Sequence, residues 1–406
     1  MNTRRTPVLA SPLLIAVMLS SCIFPFGEFA AEVTQAARAR VAPGRVLQVG
    51  STRLLRSPSA AAVIARDGDT IEIDAEEYRG DVAVWTRDGI VIRAVGGQAR
   101  LVAAGASAES KAIWVVRSKH MIVENIDFIG ARVPSRNGAG IRFERGHLVV
   151  RNCAFVDNEN GILTGNEAET RLDIEGSEFG NNGHGDGYSH NLYVGTIARL
   201  TVTASYFHHA RVGHLLKSRA AESRILYNRL TDEAGGTASY ELEFPSGGIA
   251  HVVGNIIEQS ALTSNPALVS FGAEGYHWPR NELHLVNNTL IDRRASGGVF
   301  VVANPENRRL LAVNNLLVGA GAIETAGVGD YRNNFKARRE DFVDPDRYDY
   351  RLRAQSRLAG RGSQFDVARI IHIVPVREYQ HPRNAGMVNR QTRLQPGAMQ
   401  SLDATP

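Results

Sequence analysis

The chain has 406 residues, of which 43% are hydrophobic and 22% are charged, and it contains 39 glycines. This composition excludes an intrinsically disordered chain and is typical of a folded protein rich in turns. The formal net charge of +4 at pH 7 suits an anionic partner, but it does not distinguish a polyanionic glycan from a nucleic acid or a lipid headgroup.

The first 22 residues have the pattern of an export signal. Arg4 and Arg5 precede an apolar run over residues 13–19, which is too short for a permanent membrane span. The tetrapeptide LSSC that ends at Cys22 resembles the bacterial lipobox, in which the cysteine becomes the lipidated first residue of the mature protein. The resemblance implies an exported protein with an acyl anchor, at the outer membrane or in the periplasm. An ordinary signal peptide that happens to end near a cysteine is the alternative.

A short pattern recurs between about residues 68 and 321: an apolar stretch, often an asparagine, another apolar residue and a polar or glycine-rich turn. Three asparagine pairs lie 27 positions apart, namely Asn125 and Asn152, Asn228 and Asn255, and Asn288 and Asn315. Gly176 and Ala204 take the equivalent place in two other repeats. A period in the twenties without helical periodicity favours a parallel β-solenoid, with an asparagine at a turn of each coil. There its side chain can bond the next coil and its backbone tolerates a left-handed conformation.

The main alternative to a solenoid is a β-sandwich with repeated strand lengths. A sandwich needs hairpin turns and strands with a polar outer face, and both are largely missing from this sequence. Cys153 is the only cysteine after Cys22, so we expect no disulfide framework and a buried Cys153 that acts as a small apolar residue.

Three longer stretches carry a family resemblance. DGDTIEIDAEEYRGDVAVWTRDGIVIRAVGG, which starts at Asp67, resembles the opening of right-handed parallel β-helix proteins of the pectate-lyase-like class. DFVDPDRYDYRLRAQSRLAGRGS and LQPGAMQ are similar to segments that close such helices. The resemblance implies an all-β, single-stranded, right-handed parallel β-helix with an N-terminal helical cap.

The predicted organisation follows from these segments. Residues 1–22 are the signal, 23–56 an arm and cap, 57–335 the β-helix, and 336–406 a closing segment and tail. FAAEVTQAARARV, residues 29–41, predicts the short helix that would cap the first coil. A cap is needed because the end of a solenoid otherwise exposes an apolar cross-section and an unpaired strand edge.

Six segments align as equivalent strands of successive coils: GIRFE at 140–144, GILTG at 161–165, HNLYVG at 190–195, GHLLKS at 213–218, SYELEF at 239–244 and ALVSFG at 267–272. Because strand residues alternate between faces, the alignment predicts one inward stack, made of Ile141, Ile162, Leu192, Leu215 and Leu242. Their neighbours would then share an outer patch, with about 4.8 Å between coils. This patch would contain Asn191, Tyr193, His214, Glu241 and Glu243, with Lys217 and Arg219 at the end of a strand.

The patch concentrates titratable groups that packing does not require, so we predict that it is the functional site. The catalytic candidates are Lys217, Arg219, His214, Tyr193 and His190. The substrate-binding candidates are Asn191, His208, His209 and Tyr240. The candidate metal ligands are Glu241 and Glu243, whose carboxylate oxygens would suit calcium.

Cleavage of a uronate polymer by β-elimination would use such groups. The substrate carboxylate must be neutralised, a base must remove the proton beside it, and the leaving oxygen must be protonated. LLKSRAAESRILYNRL, which contains Lys217, resembles a segment of polysaccharide lyase family 6, the alginate and dermatan lyases. The resemblance implies that Lys217 is the base. In that family an arginine lies on the following coil, and an acidic pair comes just before the lysine. In this chain the following coil reads SYELEFPSGG, which contains no arginine, and Val212 and His214 take the place of the acidic pair.

Several functions remain open on these residues. Glu241 and Glu243 could instead be the acid and base of a glycoside hydrolase. A lyase could use His214 or His190 with Tyr193, and a C5-epimerase would need the same proton abstraction without loss of the leaving group. A non-catalytic glycan-binding lipoprotein is the alternative from another class. We expect an anionic polysaccharide as the partner, membrane contact through the anchor alone, no nucleic acid, and a monomer.

Overall fold

The computed structural model describes residues 44–263, 265–306, 309–324, 329–363, 375–388 and 393–402. In these residues the chain passes repeatedly through three parallel sheets, which we number 1, 2 and 3 in the order in which each coil visits them. Except at the two ends of each sheet, every strand pairs with its equivalents in the coils before and after it. The predicted all-β parallel β-helix is therefore confirmed, and its strands extend from Val46 to Ala337.

Sheet 1 contains the twelve strands Val46–Val49, Thr70–Asp74, Ile90–Val95, His120–Glu124, His147–Arg151, Arg171–Glu175, Arg199–Thr203, Glu222–Leu226, Ile249–Val253, Glu282–Val286, Arg309–Val313 and Asp330–Arg332. Sheet 2 contains the eleven strands Glu77–Arg79, Ala99–Val102, Ile126–Ile129, Ala154–Val156, Glu178–Gly180, Tyr206–His208, Arg229–Thr231, Ile256–Gln259, Thr289–Asp292, Leu316–Val318 and Phe335–Ala337. Sheet 3 contains the ten strands Ala83–Trp85, Ala112–Val116, Ala139–Phe143, Asn160–Thr164, Leu192–Val194, Leu216–Ser218, Leu242–Phe244, Ala267–Phe271, Val299–Ala303 and Ala322–Glu324.

The remaining elements lie outside the three parallel sheets. They are the α-helix Pro58–Ile64, the 3-10 helices Arg339–Asp341 and Pro345–Arg347, the antiparallel pair Phe342–Asp344 and Asp349–Leu352, and the antiparallel pair Arg377–Gln380 and Asn384–Met387. The α-helix begins after Ser57, whose hydroxyl accepts a hydrogen bond from the Ala60 amide. No helix in the described ranges is long and apolar enough to cross a membrane. The predicted signal, lipobox and helix at 29–41 lie outside the described residues.

The interior of the solenoid is built from columns of equivalent side chains. Sheet 2 contributes four fully buried rings, Phe128, Phe155, Phe179 and Phe207, whose centroids are 5.0, 4.7 and 4.6 Å apart. Leu230 and Ile257 continue this column in the next two coils. The ring spacing matches the distance between neighbouring strands, so each buried side chain contacts its own equivalents and contributes about 1.5–3 kcal/mol through burial.

The asparagines at the turns between sheets 1 and 2 form two columns, which corrects the single column predicted above. Asn125 and Asn152 have positive φ angles of 62° and 49°, and Gly176 and Ala204, in the same column, also have positive φ angles. The next residue of each turn faces the interior and forms the ladder of buried side chains Asn228, Asn255, Asn288 and Asn315. Adjacent residues therefore have different roles. The residue with positive φ forms the bend, and the side chain of the next residue forms hydrogen bonds with the neighbouring coils.

The register of sheet 3 corrects the predicted inward stack at one position. Leu192 pairs with Leu216, and Leu216 pairs with Leu242. Leu215 is also fully buried, but it lies at the corner before the strand begins. Two successive residues therefore face the interior here, which strict alternation does not predict. The shift of one residue places Lys217 in the middle of the outer face.

Candidate functional site

One outward-facing row of sheet 3 carries the candidate site. The row contains, in order of the coils, Arg142, Leu163, Tyr193, Lys217, Glu243 and Ser270. Since aligned side chains on neighbouring strands approach closely, Tyr193, Lys217 and Glu243 form a continuous strip across three coils. Lys217 therefore lies on the strand itself, between Tyr193 and Glu243, rather than at its end.

Glu243 is the common partner of two basic side chains. Its Oε2 atom lies 2.9 Å from Nζ of Lys217 and 2.9 Å from Nε2 of His214. Burial alone would raise the pKa of Glu243, but hydrogen bonding and charge from His214 and Lys217 outweigh burial and lower it. Glu243 is therefore an ionised partner that orients the two bases, and it does not have the raised pKa of a general acid.

Tyr193 and Arg219 form the second part of the site. The phenolic oxygen of Tyr193 accepts a hydrogen bond of 2.5 Å from Nη1 of Arg219, whose guanidinium carbon lies 5.2 Å from the ring centroid. The outer nitrogens of Arg219 bind the carboxylate of Glu274, which also lies 3.4 Å from Nζ of Lys217. Arg219 thus contacts the Tyr193 hydroxyl directly, and Glu274 connects Arg219 to Lys217.

His190 supports this arrangement from beneath the surface. It is almost fully buried, and its Nδ1 atom accepts a hydrogen bond of 2.9 Å from the backbone amide of His214. Burial, followed by the positive charges of His214, Lys217 and Arg219, lowers the pKa of His190 well below its usual value. His190 is therefore a neutral ring that stacks on Tyr193, with a centroid distance of 5.4 Å, and it positions that ring rather than contacting substrate.

The other predicted substrate-binding residues have different places. Tyr240 lies at the site, edge-on to His214 with ring centroids 5.1 Å apart. Asn191 is fully buried, where its Oδ1 accepts hydrogen bonds from Asn182 and its amide donates to a backbone carbonyl, so it acts in the interior. His208 and His209 bond each other on sheet 2, and His208 also lies 3.3 Å from Glu178. The structure does not bring these two histidine side chains to Lys217.

Glu241 and Glu243 do not share one metal site, which corrects their predicted pairing. Glu241 precedes its strand and is fully buried, and both of its carboxylate oxygens lack hydrogen-bond partners. Glu243 faces outward and is already bound to His214 and Lys217. No group of three or more acidic, histidine or cysteine side chains in the described ranges is arranged to hold a metal ion. Calcium at this pair does not fit the geometry.

Glu241 has an environment that opposes ionisation. Leu215 and Leu268, both fully buried, take the equivalent corner position in the coils before and after it. Burial, followed by the negative charge of Asp232, raises the pKa of Glu241 well above its usual value. Burial also raises the pKa of Asp232 to about 7. The folded protein therefore holds protons that the unfolded chain releases.

Replacing Glu241 by leucine should make stability less sensitive to pH. A carboxyl group whose pKa is raised by folding contributes stability below its unfolded pKa and loses it as the pH rises through the folded pKa. We expect the contribution of Glu241 to wild-type stability to fall between about pH 5 and about pH 8, and the Glu241→Leu variant to be more stable than wild type at the upper end by about 1–3 kcal/mol, because it removes an unpartnered buried carboxyl group. Denaturant unfolding at both pH values measures this, with the exposed Glu340→Leu as control. An unchanged pH slope would refute the assignment.

Two residues at the site were not recognised as candidates from the sequence. Arg142 forms no ion pair within the described part of the chain, and its buried Nε atom has no hydrogen-bond partner. Burial lowers the pKa of Arg142, and the charges of Glu144 and then Tyr193 act in the opposite direction. The aligned segments GIRFE and HNLYVG could have identified Arg142, since they place it in the row of Tyr193. Glu274 follows a strand in a long turn, and no sequence pattern connects it to Lys217 or Arg219.

Comparison with known proteins supports the architecture. No protein-family model and no curated protein matches the sequence. Among solved structures, the crystal structure of pectate lyase Pel9A is similar to this chain, with a TM-score of 0.61 and 12% sequence identity. The match covers 89% of this chain and 97% of that one. At this identity the similarity establishes the pectate-lyase-like parallel β-helix fold, and the fold alone.

Proposed function

We propose that the protein cleaves a uronate-containing polysaccharide by β-elimination on the outer face of sheet 3. The observation that carries this proposal is the Tyr193 hydroxyl held by the Arg219 guanidinium, with the Lys217 ammonium on the adjacent strand. A uronate lyase needs cations for the substrate carboxylate and a proton-transferring group beside them. Similarity to a pectate lyase in fold is consistent with this reaction but does not identify the substrate.

The contacts favour a division of roles that differs from the one expected from the sequence. The ammonium of Lys217 has two anionic partners, Glu243 and Glu274, so we assign Lys217 to charge neutralisation rather than to proton abstraction. Arg219 shares that task and stabilises negative charge on the oxygen of Tyr193. Tyr193 is then the group that transfers the proton.

The proposed reaction uses Tyr193 first as a base and then as an acid, with the phenolate as the form that reacts. Its oxygen takes the proton from C5 of the uronate, and the electron pair of that C–H bond forms a double bond between C4 and C5. The bond from C4 to the glycosidic oxygen breaks at the same time. The leaving oxygen receives the proton from Tyr193, which restores the phenolate and balances the step. Arg219 and Lys217 stabilise the negative charge that develops on the substrate carboxylate.

A retaining glycoside hydrolase is the second candidate function, because Glu243 and Glu274 both approach the ammonium of Lys217, at 2.9 and 3.4 Å. Two carboxylates that approach one nitrogen this closely are neighbours, and a retaining mechanism uses a pair of neighbouring carboxyl groups. In this hydrolase the carboxylate pair is Glu243 and Glu274 rather than the predicted Glu241 and Glu243, because Glu241 and Glu243 lie in separate environments. The lowered pKa of Glu243 and of Glu274 leaves the hydrolase without an evident general acid.

Incubation with a panel of uronate polymers tests the proposal. We expect at least one polymer to be shortened with ultraviolet absorbance from the unsaturated product, while neutral polysaccharides remain intact. New reducing ends without absorbance would favour the hydrolase, and exchange of the C5 proton with solvent without shortening would indicate an epimerase. Binding without any of these changes would contradict catalysis and favour a non-catalytic glycan-binding protein.

The expected location is compatible with a polymer substrate outside the cytoplasm. The export signal and the lipobox at Cys22 lie outside the described residues, so the acyl anchor stays a prediction. An anchored enzyme would meet its polymer at the cell envelope, and we propose contact with the membrane only through that anchor.

A further inference from the structure

The turn after strand Ala267–Phe271 is packed against the candidate site. The indole nitrogen of Trp278 donates a hydrogen bond of 3.1 Å to the backbone carbonyl of Arg219. Asn281 links the other end of the turn to the preceding coil, since its Oδ1 atom accepts a bond of 3.0 Å from the Gly248 amide. These contacts fix the turn from residue 272 to 281 at the edge of the row that contains Lys217.

Glu274 extends from this turn onto both cations. Its carboxylate accepts bonds from Nη2 of Arg219 at 2.6 and 2.8 Å and from Nε of Arg219 at 3.1 Å. Nζ of Lys217 donates a longer bond of 3.4 Å to the same carboxylate. Burial alone would raise the pKa of Glu274, but the adjacent Arg219 and Lys217 outweigh burial and lower it, so the group is ionised near neutral pH.

The Glu274 carboxylate lies where another anion can displace it from Arg219 and Lys217. Its side chain is 43% exposed, whereas those of Lys217 and Arg219 are 12% and 18% exposed. The carboxylate is thus the outermost member of the cluster and can turn into solvent without moving the strand beneath it. Because Glu274 is the solvent-exposed partner, water and salt screen its pairing with the two cations, and an incoming carboxylate competes for the same donors.

We propose that Glu274 occupies the subsite for a substrate carboxylate and is displaced when a uronate binds. The inference rests on the proposed function, because it identifies which group of the polymer Arg219 and Lys217 would bind. A uronate carboxylate has the same charge and planar pair of oxygens as Glu274, so it fits the same guanidinium fork. Glu274 is then an internal competitor that lowers the affinity for single uronates and favours polymers that gain further contacts elsewhere.

The test compares wild type with Glu274→Gln and Glu274→Ala, using titration with free glucuronate at low salt. We expect both variants to bind glucuronate about three- to tenfold more tightly, because the competing charge is removed. The gain should shrink as salt rises. Glu282→Gln is the matched control, since Glu282 also pairs with an arginine, Arg280 at 2.8 Å, outside the Lys217 row. This control should bind glucuronate as the wild type does.

The outcomes separate this inference from the proposed function. Equal or weaker binding by both Glu274 variants, or no binding by any of the proteins, would overturn the subsite even if polymers are cleaved. Tighter binding by the variants without cleavage of any polymer would support the subsite and contradict the lyase activity. An equal gain in Glu282→Gln would show that a general charge effect, rather than the subsite, is responsible.

Discussion

The Tyr193→Phe variant should lose polymer cleavage by about 10²–10⁴-fold, because it removes the one atom proposed to transfer the proton. The ring would keep its stacking on His190, at 5.4 Å, and its place beside the Arg219 guanidinium. Stability should therefore change little. Initial rates of ultraviolet absorbance with the best polymer of the panel, together with denaturant unfolding, measure both quantities.

A matched variant controls for the loss of a tyrosine hydroxyl. Tyr331 lies on sheet 1, and its buried hydroxyl has no partner among the described residues, so Tyr331→Phe should retain full activity. Binding of the polymer is the second readout. If Tyr193 transfers the proton, its variant keeps the wild-type affinity and loses turnover. A loss of affinity with unchanged turnover at saturation would mean that Tyr193 binds substrate instead, and the assignment would be wrong.

The fold could be predicted because a solenoid repeats its local rules. The asparagines 27 positions apart and the opening segment from Asp67 predict coils of a β-helix, and the strands of all three sheets confirm it. The finer register could not be predicted at the corners. Leu215 and Leu216 both face the interior, so a strict alternation through GHLLKS places the wrong leucine in the stack and moves Lys217 off its row.

The candidate site could be predicted only where strands supply its residues. Tyr193, Lys217 and Glu243 come together because stacking converts a spacing of one coil into contact between neighbours. Glu241 was misplaced because the same corner that holds Leu215 directs it into the core. Glu274 lies 31 positions after Glu243 in an irregular turn, and the path of such a turn depends on contacts like that of Trp278. Local patterns do not encode those contacts.

The Asn255→Ala variant should destabilise the solenoid by several kcal/mol. Asn255 is fully buried, and its side chain connects three coils. Its Oδ1 atom accepts bonds of 2.8 and 3.0 Å from the backbone and side-chain amides of Asn228. Its Nδ2 atom donates to the carbonyl of Ile225 at 2.8 Å and to Oδ1 of Asn288 at 3.1 Å. Each buried group that loses its partner costs about 1–3 kcal/mol, and alanine leaves several.

The Asn255→Ser variant separates the contribution of the hydrogen bonds that Asn255 accepts from that of the bonds it donates. Ser205 takes the same ladder position one coil before Asn228, and its hydroxyl accepts a bond of 3.1 Å from the Ser177 amide. A serine at position 255 can therefore still accept from the Asn228 amide but cannot reach the Ile225 carbonyl, so its loss should lie between wild type and alanine. The exposed Asn137→Ala is the control and should change the free energy of unfolding by less than about 0.5 kcal/mol. Equal losses for serine and alanine would show that the stabilising contacts are the bonds that Asn255 donates to Ile225 and Asn288. No loss for either variant would mean that the ladder follows from the stacking of the coils and does not stabilise it.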